Sequence, residues 1–479
     1  MANPDEAVKA AALQAQSGRL DLAVPALQAV LRQDANHVEA NRLLGIAFLS
    51  ARQPQQGMMH IERAIASAPT RADLYHLKGE ASAWMGNIRG AIEALEKSVE
   101  LNPNVAQTHA LLATCLLEVK DLDGAEEEYL AAIRIQPNHA EARTNYATIL
   151  TSTARPVQAV QVLRETARDH PQHLGVLTNY CVAVNYAEGV TPEEIIGAHR
   201  HYGQVLMGQP APGAAPMDAR SFANPRDPGR RLKIGLVSPD LFDHSVAYFV
   251  RPMLEHRDRA RFDYTVYATG PKVDAMTRRV QGAADAWREM AGSTDARLIE
   301  TIRADKIDIL IELSGQTHGN RLAALRLRGA PVQVTYIGYP NTTGVPAMDY
   351  RIVDSLTDPP GAEAMAVEKL IRLDPCFLCY TPREDAPPLS EPPSERNGHI
   401  TYGSFNSLKK LTPSTIALWC RLVRETPGGR ARLVIKSGTA FAESAKENLD
   451  KQLRAQGLRE DQFDLLERMD AKTDRKSVV

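Results

Sequence analysis

The sequence predicts an α-solenoid of stacked helix pairs followed by α/β structure in two lobes, the second of them incomplete. Three observations carry this expectation. Pro69, Pro103, Pro137 and Pro171 stand at a fixed 34-residue interval, the mark of a helical repeat. A Pro-, Gly- and Ala-rich stretch, QPAPGAAPMDARSFANPRDPGRR, then breaks the pattern. Beyond it, short β-branched runs alternate with amphipathic segments, as in a largely parallel sheet covered by helices. The expected divisions are a repeat array over 1–186, a helical linker and loop over 187–230, a first α/β lobe over 231–390 and a partial second lobe over 391–479.

A chain of 479 residues is too long for one hydrophobic core, so several domains are expected. Its net charge of −2 offers no electrostatic attraction to nucleic acid or to an anionic membrane. The N-terminus, MANPDEAVKAAALQAQSG, has an early acidic residue and no long apolar core, unlike a secretory leader. No run approaches 18 uninterrupted apolar residues, so no bilayer span is expected. The five scattered cysteines suit a reducing compartment, and a cytoplasmic location is expected. Cys376 and Cys379 form a CFLC without a second pair; its flanks read as a strand, and the two thiols as buried small apolar groups rather than a zinc or redox pair.

Within the repeats, Gly45, Gly79, Ala113 and Ala147 share one position and Gly57, Ala91, Ala125 and Ala159 another, small residues where two helices cross closely. The turns RQPQQG, GNIRG, KDLDG and ARPVQ lie between them, and each proline closes the second helix because it cannot donate the next backbone bond. An earlier unit is in phase at Ala11, Gly18 and Ala23, and a later one begins near Gly175 and drifts after Tyr186. These positions resemble the tetratricopeptide repeat over about residues 4–186. The resemblance implies a concave groove that binds extended polypeptide, although an array that only spaces two domains fits the same pattern. Asn145 and Asn179 occupy one repeat position, where an amide can both donate to and accept from a peptide backbone. Leu43, Leu77 and Leu111 hold that position in the earlier units.

The β-branched runs are LKIGLVS, FDYTVYA, IDILIELSG, PVQVTYIG and DYRIVD. Ligands of such sheets bind outside the carboxyl ends of strands, which directs attention to the residues after each run. These are Pro239, Asp240, Asp243 and His244 after the first, Gln316 to Gly319 after the third, and Tyr339 to Gly344 after the fourth. Three strand ends rich in small and polar residues point to one shared crevice. A second α/β unit starts at HITYGSFNSLKKLTPST, where Lys409 and Lys410 precede a helix capped by Thr412 with Pro413 at its first position. Such a lysine suits a phosphate, because the helix N-terminus already favours an anion.

The motifs AHRHYG (198–203), SPDLFDH (238–244), LSGQTHGNR (313–321), APVQVTYIGYPNTTG (330–344), MDYRIVD and SFNSLKKLTPST (404–415) resemble those of the tetratricopeptide-linked protein O-linked N-acetylglucosamine transferases, bacterial and SPINDLY-like members included. The resemblance spans most of residues 4–468. It implies two Rossmann-like lobes of GT-B type with a sugar nucleotide between them, no cofactor, no required metal, and inversion at the sugar carbon. By the same resemblance, His199 and His244 are the two active-site histidines and Asp240 helps with the acceptor proton. Ile337 and Gly338 bring backbone to the sugar, and Lys410 binds the nucleotide diphosphate. The implied partners are protein acceptors in the repeat groove and the donor UDP-N-acetylglucosamine.

Two other readings remain open: a donor such as GDP-fucose, used by SPINDLY-like relatives, and a non-catalytic scaffold that binds proteins through its repeats. The family's later His-Thr-Thr-Gly turn is absent from the sequence, and the tail MDAKTDRKSVV has no helical periodicity. A truncated member with impaired transfer is therefore expected. An open half-sheet with an exposed edge is also expected, and with it local disorder or aggregation near 391–479.

Overall fold

The computed structural model of the chain describes residues 4–211, 213–227, 229–381, 391–428, 430–436 and 443–467. The tail MDAKTDRKSVV lies outside the described residues. The described residues up to Asp169 and from Asn397 onward form one compact unit, and those from His170 to Arg396 a second.

In the first unit, ten helices run as five antiparallel pairs: α1 (Pro4–Gln16) with α2 (Leu20–Gln33), α3 (Val38–Ser50) with α4 (Pro54–Ser67), α5 (Ala72–Trp84) with α6 (Ile88–Leu101), α7 (Ala106–Glu118) with α8 (Leu122–Ile135), and α9 (Ala140–Ser152) with α10 (Pro156–Asp169). The repeat position expected to be small is where the partners of a pair meet. A Cβ on Gly45 would stand 2.7 Å from Ile61 Cγ1, and one on Gly79 would stand 2.5 Å from Leu95 Cγ. The periodic prolines follow each second helix by two residues, after chain reversal has begun.

A further 34-residue periodicity lies in the backbone. Gly18, Arg52, Gly86, Lys120 and Ala154 all have left-handed φ, between 57° and 78°. The next residue's amide in each case bonds the carbonyl five residues back, as in Gln53 N–H to Phe48 O and Arg155 N–H to Leu150 O, both 2.8 Å. This hydrogen bond satisfies a carbonyl orphaned at the end of the first helix, and it recurs whatever the side chain.

The remainder of this unit follows the short α17 (Pro393–Asn397). Strands β8 (Ile400–Ser404), β9 (Ala431–Lys436) and β10 (Phe463–Leu466) form a parallel sheet in the order β10-β9-β8, with α18 (Pro413–Glu425) and α19 (Glu443–Ala455) as the crossovers. Thr412 caps α18 by accepting from the Thr415 amide, and Pro413 is its first residue, as the sequence predicts. Ile400 and Phe405 by the β8 edge and Leu418 and Leu422 on α18 are exposed, an uncovered apolar face.

The second unit opens with α11 (Leu174–Ala183) and α12 (Pro192–Gly208), which precede a seven-stranded parallel sheet. Its strands are β1 (Leu232–Ser238), β2 (Phe262–Ala268), β3 (Ala286–Glu289), β4 (Ile309–Glu312), β5 (Val332–Thr335), β6 (Tyr350–Val353) and β7 (Lys369–Arg372). The helices between them are α13 (Ser245–Glu255), α14 (Ala275–Ala283), α15 (Asp295–Ala304) and the single turn α16 (Leu322–Leu325). The order β3-β2-β1-β4-β5-β6-β7 reverses direction between β1 and β4, the topological switch point at which such sheets bind ligands. The five runs read as strands are β1, β2, β4, β5 and β6. The edge strands β3 and β7 escaped, being four residues each and only partly buried.

The CFLC departs from expectation. Strand β7 ends at Arg372, so the motif is not in a strand, and Cys376 and Cys379 are both exposed. Their neighbour Phe377 takes the inner place instead, packing edge-on against Tyr336 and receiving the Tyr336 hydroxyl on its carbonyl at 2.6 Å. No described helix is long and apolar enough to cross a membrane.

Candidate active site

The switch point places the loop after β1 beside the loop after β4. Asp240 is half-buried, with its backbone amide on Ser238 Oγ at 3.0 Å. Burial raises its carboxyl above the ordinary carboxylate range, and the neighbouring His244 and His318 pull it partly back. His318, exposed in the turn after β4, thus joins the pair taken from sequence. A signal existed, since it follows a strand end in the motif LSGQTHGNR, but no role attached to it.

His244 caps α13. Its Nδ1 accepts from the Val246 amide at 3.3 Å, so in the neutral ring the proton sits on Nε2. The loop is fixed from α14, where Asp274 Oδ2 accepts the Asp243 amide at 2.8 Å while the same side chain closes a capping box with Thr277. Phe242 stacks at a tilt on the His244 ring, 5.5 Å between centroids, and carries Lys272 Nζ over its face at 4.2 Å.

The loop after β5 supplies close backbone. Ile337 has φ of +50°, a conformation unfavourable for a β-branched residue and of the kind that gathers at functional sites. Gly338 beside it lies against the end of β4: an added Cβ would stand 1.8 Å from the Leu313 carbonyl oxygen. Two buried carboxylates absent from the sequence-based site hold the strand-end loops, Glu368 the one after β5 and Glu312 the one after β4. Glu368 accepts from Thr342 Oγ1 at 2.5 Å, from the Thr343 amide at 2.8 Å and from the Thr343 hydroxyl. Glu312, the last residue of β4, accepts from the amides of Ser314 and Gly315 at 2.5 and 2.6 Å and from Thr335 Oγ1 at 2.9 Å. A carboxylate closing an otherwise apolar strand, ILIE, was the legible hint for Glu312.

Burial pushes the Glu312 carboxyl up to about 7, with its three hydrogen bonds opposing and the charge of Glu368 adding. A carboxyl raised in the fold favours its protonated form there. Its contribution to stability is complete below about 4.5, the unfolded value, and is lost as pH rises through about 7. Glu312→Gln preserves the shape, since the amide oxygen still accepts from two backbone amides and the NH2 faces Thr335 Oγ1. The variant is therefore expected to lose less melting temperature between about pH 5.5 and pH 8 than the parent chain. Parallel declines in paired thermal melts would show that Glu312 does not titrate in this way.

His199 lies in α12 with no solvent exposure. Nδ1 donates to the Ile195 carbonyl at 2.7 Å and Nε2 faces the Tyr339 hydroxyl at 2.8 Å, so both ring nitrogens are engaged. Burial lowers its pKa to about 4. Tyr339 OH also reaches the Cys181 carbonyl and Asn185 Nδ2, each at 2.8 Å. One turn along α12, a Cβ on Gly203 would stand 1.7 Å from the Gly344 carbonyl, and one on Gly344 would stand 2.0 Å from that of His199. The AHRHYG motif is thus the seat of the 339–344 loop.

Lys410 is exposed in the other compact unit, in a single 3-10 turn (Leu408–Lys410) ahead of α18. Asn145 Nδ2 donates to Tyr129 OH at 3.0 Å, and Asn179 Nδ2 to the Gly175 carbonyl at 2.9 Å, so each amide spends a proton within the fold. Among the described residues no three His, Cys, Asp or Glu side chains gather as ligands for a metal ion.

Residues 217–384 match glycosyl transferase family 41, and residues 8–72 and 84–140 match the tetratricopeptide repeat. The chain is 40% identical over 290 residues to the Arabidopsis thaliana protein named "Probable UDP-N-acetylglucosamine--peptide N-acetylglucosaminyltransferase SPINDLY", covering 60% of this chain and 31% of that one. It is 32% identical over 152 residues to the UDP-N-acetylglucosamine--peptide N-acetylglucosaminyltransferase of Caenorhabditis elegans, covering 31% of this chain and 13% of that one. The chain therefore spans less than a third of the length of the plant relative. A solved structure of a Thermobaculum terrenum O-GlcNAc transferase mutant superposes with a TM-score of 0.71 at 27% identity, over 85% of this chain and 76% of that one. The architecture is a tetratricopeptide solenoid followed by GT-B-like α/β structure. With repeats of the one kind leading into a sheet of the other, the chain is similar to the tetratricopeptide-repeat members of glycosyl transferase family 41.

Proposed function

We propose that the chain is a cytoplasmic protein O-glycosyltransferase that moves N-acetylglucosamine from UDP-N-acetylglucosamine to Ser or Thr hydroxyls of polypeptides held by its repeats. The observation that carries this reading is the gathering of Asp240, His244 and His318 at the switch point of a domain matched to family 41. Asp240 accepts the hydroxyl proton, a role that suits a carboxyl raised above its ordinary range. The hydroxyl oxygen bonds to the sugar C1 as the C1–O bond to the diphosphate breaks, and the electron pair leaves with UDP. His244, protonated on Nε2, donates to a donor oxygen, and Lys410 offsets the charge that develops on the diphosphate. Ile337 and Gly338 line the sugar with backbone. His199, with both nitrogens engaged, acts by seating the Tyr339–Gly344 loop. Asn145 and Asn179 contact the acceptor chain through what remains of their amide capacity.

Calorimetry of the intact chain with UDP, UDP-N-acetylglucosamine, GDP and GDP-fucose tests the donor, alongside mass spectrometry of a Ser/Thr peptide incubated with each sugar nucleotide. The expected result is UDP binding and a peptide gain of one N-acetylhexosamine. Binding of GDP with transfer of a deoxyhexose would replace the donor. Peptide binding without binding of any nucleotide would replace the enzyme by a scaffold.

A further inference from the structure

The five left-handed turn residues of the repeats differ in one respect. Gly18, Arg52, Gly86 and Lys120 are exposed, whereas Ala154 is 7% exposed. What covers it belongs to the same compact unit: Ala154 lies in one apolar cluster with Leu408, Leu411, Ile416 and Cys420. Leu408 and Leu411 are the residues that bracket Lys409 and Lys410, and the turn closes with Lys410 N–H on Ser407 O and Leu411 N–H on Leu408 O, both 2.9 Å. An arginine or lysine, as at the second and fourth repeats, would have no room here.

The turn around Ala154 is braced by side-chain hydrogen bonds. Arg155 forks onto Glu126 of α8 at 2.8 and 2.5 Å, and its Nε and Nη2 donate to Thr153 Oγ1 at 2.9 and 2.7 Å. The Thr153 hydroxyl is buried and bonds the Ile149 carbonyl at 2.9 Å. A second tether joins the Ser444 hydroxyl, at the start of α19, to Asp123 at the start of α8. Two consecutive repeats thus hold the partial lobe at two places.

We infer that the α9–α10 turn, with Ala154 at its tip, is a positioning element for the Lys409–Lys410 turn, so that affinity for a nucleotide diphosphate is set in part by the repeat array. The inference rests on the proposed role of Lys410 in diphosphate binding. It assigns the last of these five repeats to support of the donor site, through the apolar pair Leu408 and Leu411, and Ala154 is a positioning residue because it acts only through them.

The test is UDP titration of the intact chain and of Ala154→Lys, Lys410→Ala and the double variant, with peptide affinity measured in parallel. Gly86→Lys serves as a control, since the equivalent turn there is exposed and Lys120 already occupies that backbone conformation. Ala154→Lys is expected to weaken UDP binding about tenfold while peptide affinity and the Gly86→Lys control stay at the parent value. In the Lys410→Ala background the same change is expected to have little further effect. Asp123→Asn, which weakens the second tether without touching the apolar cluster, is expected to shift UDP affinity in the same direction by less. If Lys410→Ala weakens UDP binding and Ala154→Lys does not, or if the two losses are additive, the inference is overturned and the Lys410 reading stands. If Lys410→Ala leaves UDP affinity unchanged, or the parent binds no UDP, that reading falls and takes the inference with it.

Discussion

Gly338→Ala is expected to destabilise the sheet unit by about 4–5 kcal/mol, the upper end for a single substitution. The obstruction is backbone. The new methyl would stand 1.8 Å from the Leu313 carbonyl oxygen, 2.4 Å from its carbon and 2.7 Å from the Ser314 nitrogen. Relief would require the end of β4 to move, and that end is pinned because Glu312 holds the Ser314 and Gly315 amides. Ordinary overpacking costs about 1–3 kcal/mol because side chains can rotate away, an escape not available here. In a unit of this size the loss corresponds to a melting temperature lower by roughly 10–20 °C. Gly282→Ala is the control: it lies in α14 with nothing within 4 Å of an added Cβ, and a gain of up to about 1 kcal/mol is expected from helix propensity. Calorimetric melts of both variants decide the matter, and a Gly338→Ala protein melting with the parent would show that the two strand-end loops are not locked together as described.

His244→Asn is expected to lower kcat by about 10²–10⁴ with little change in melting temperature. Asparagine is a good N-cap, so it retains the hydrogen bond to the Val246 amide that the imidazole makes, while the Nε2 donor disappears. The choice separates chemistry from stability, because alanine would also remove the cap at a cost of about 1 kcal/mol. Asp240→Asn should fall within the same range and remove the acidic limb of the pH–rate profile. The parent rate is expected to drop as pH falls through the raised Asp240 titration, since only the carboxylate accepts the hydroxyl proton. Initial rates of transfer to a Ser/Thr peptide across pH provide the measurement. A His244→Asn chain that folds and transfers at the parental rate would remove the imidazole from the reaction.

Much of the candidate site was legible because its signals are local. Asp240 and His244 stand within six residues of a β-branched run, and strand-end chemistry follows from the run alone. The pairing of Asp240 with His318 needed the strand order, since 78 residues separate them and only the adjacency of β1 and β4 joins their loops. The resemblance named His199 as an active-site residue, but only the fold shows that a buried carbonyl and a tyrosine hydroxyl occupy both of its nitrogens. The expected burial of Cys376 and Cys379 failed for a related reason: apolar character gave no preference between them and Phe377, and the ring of Tyr336 decided which residue turned inward.

By itself the sequence determined the helix-pair array, the alternation of strand and helix and the capped entry to α18, because each depends on propensities and periods contained within one or two turns of chain. Tertiary structure alone decided that Glu312 and Glu368 clamp the strand-end loops, that Gly203 and Gly344 abut, and that Ala154 fills a socket which its counterparts in other repeats leave open. Each of these is a contact between residues distant in sequence. Its energy exists only after both segments are placed, so no period or local preference along the chain records it.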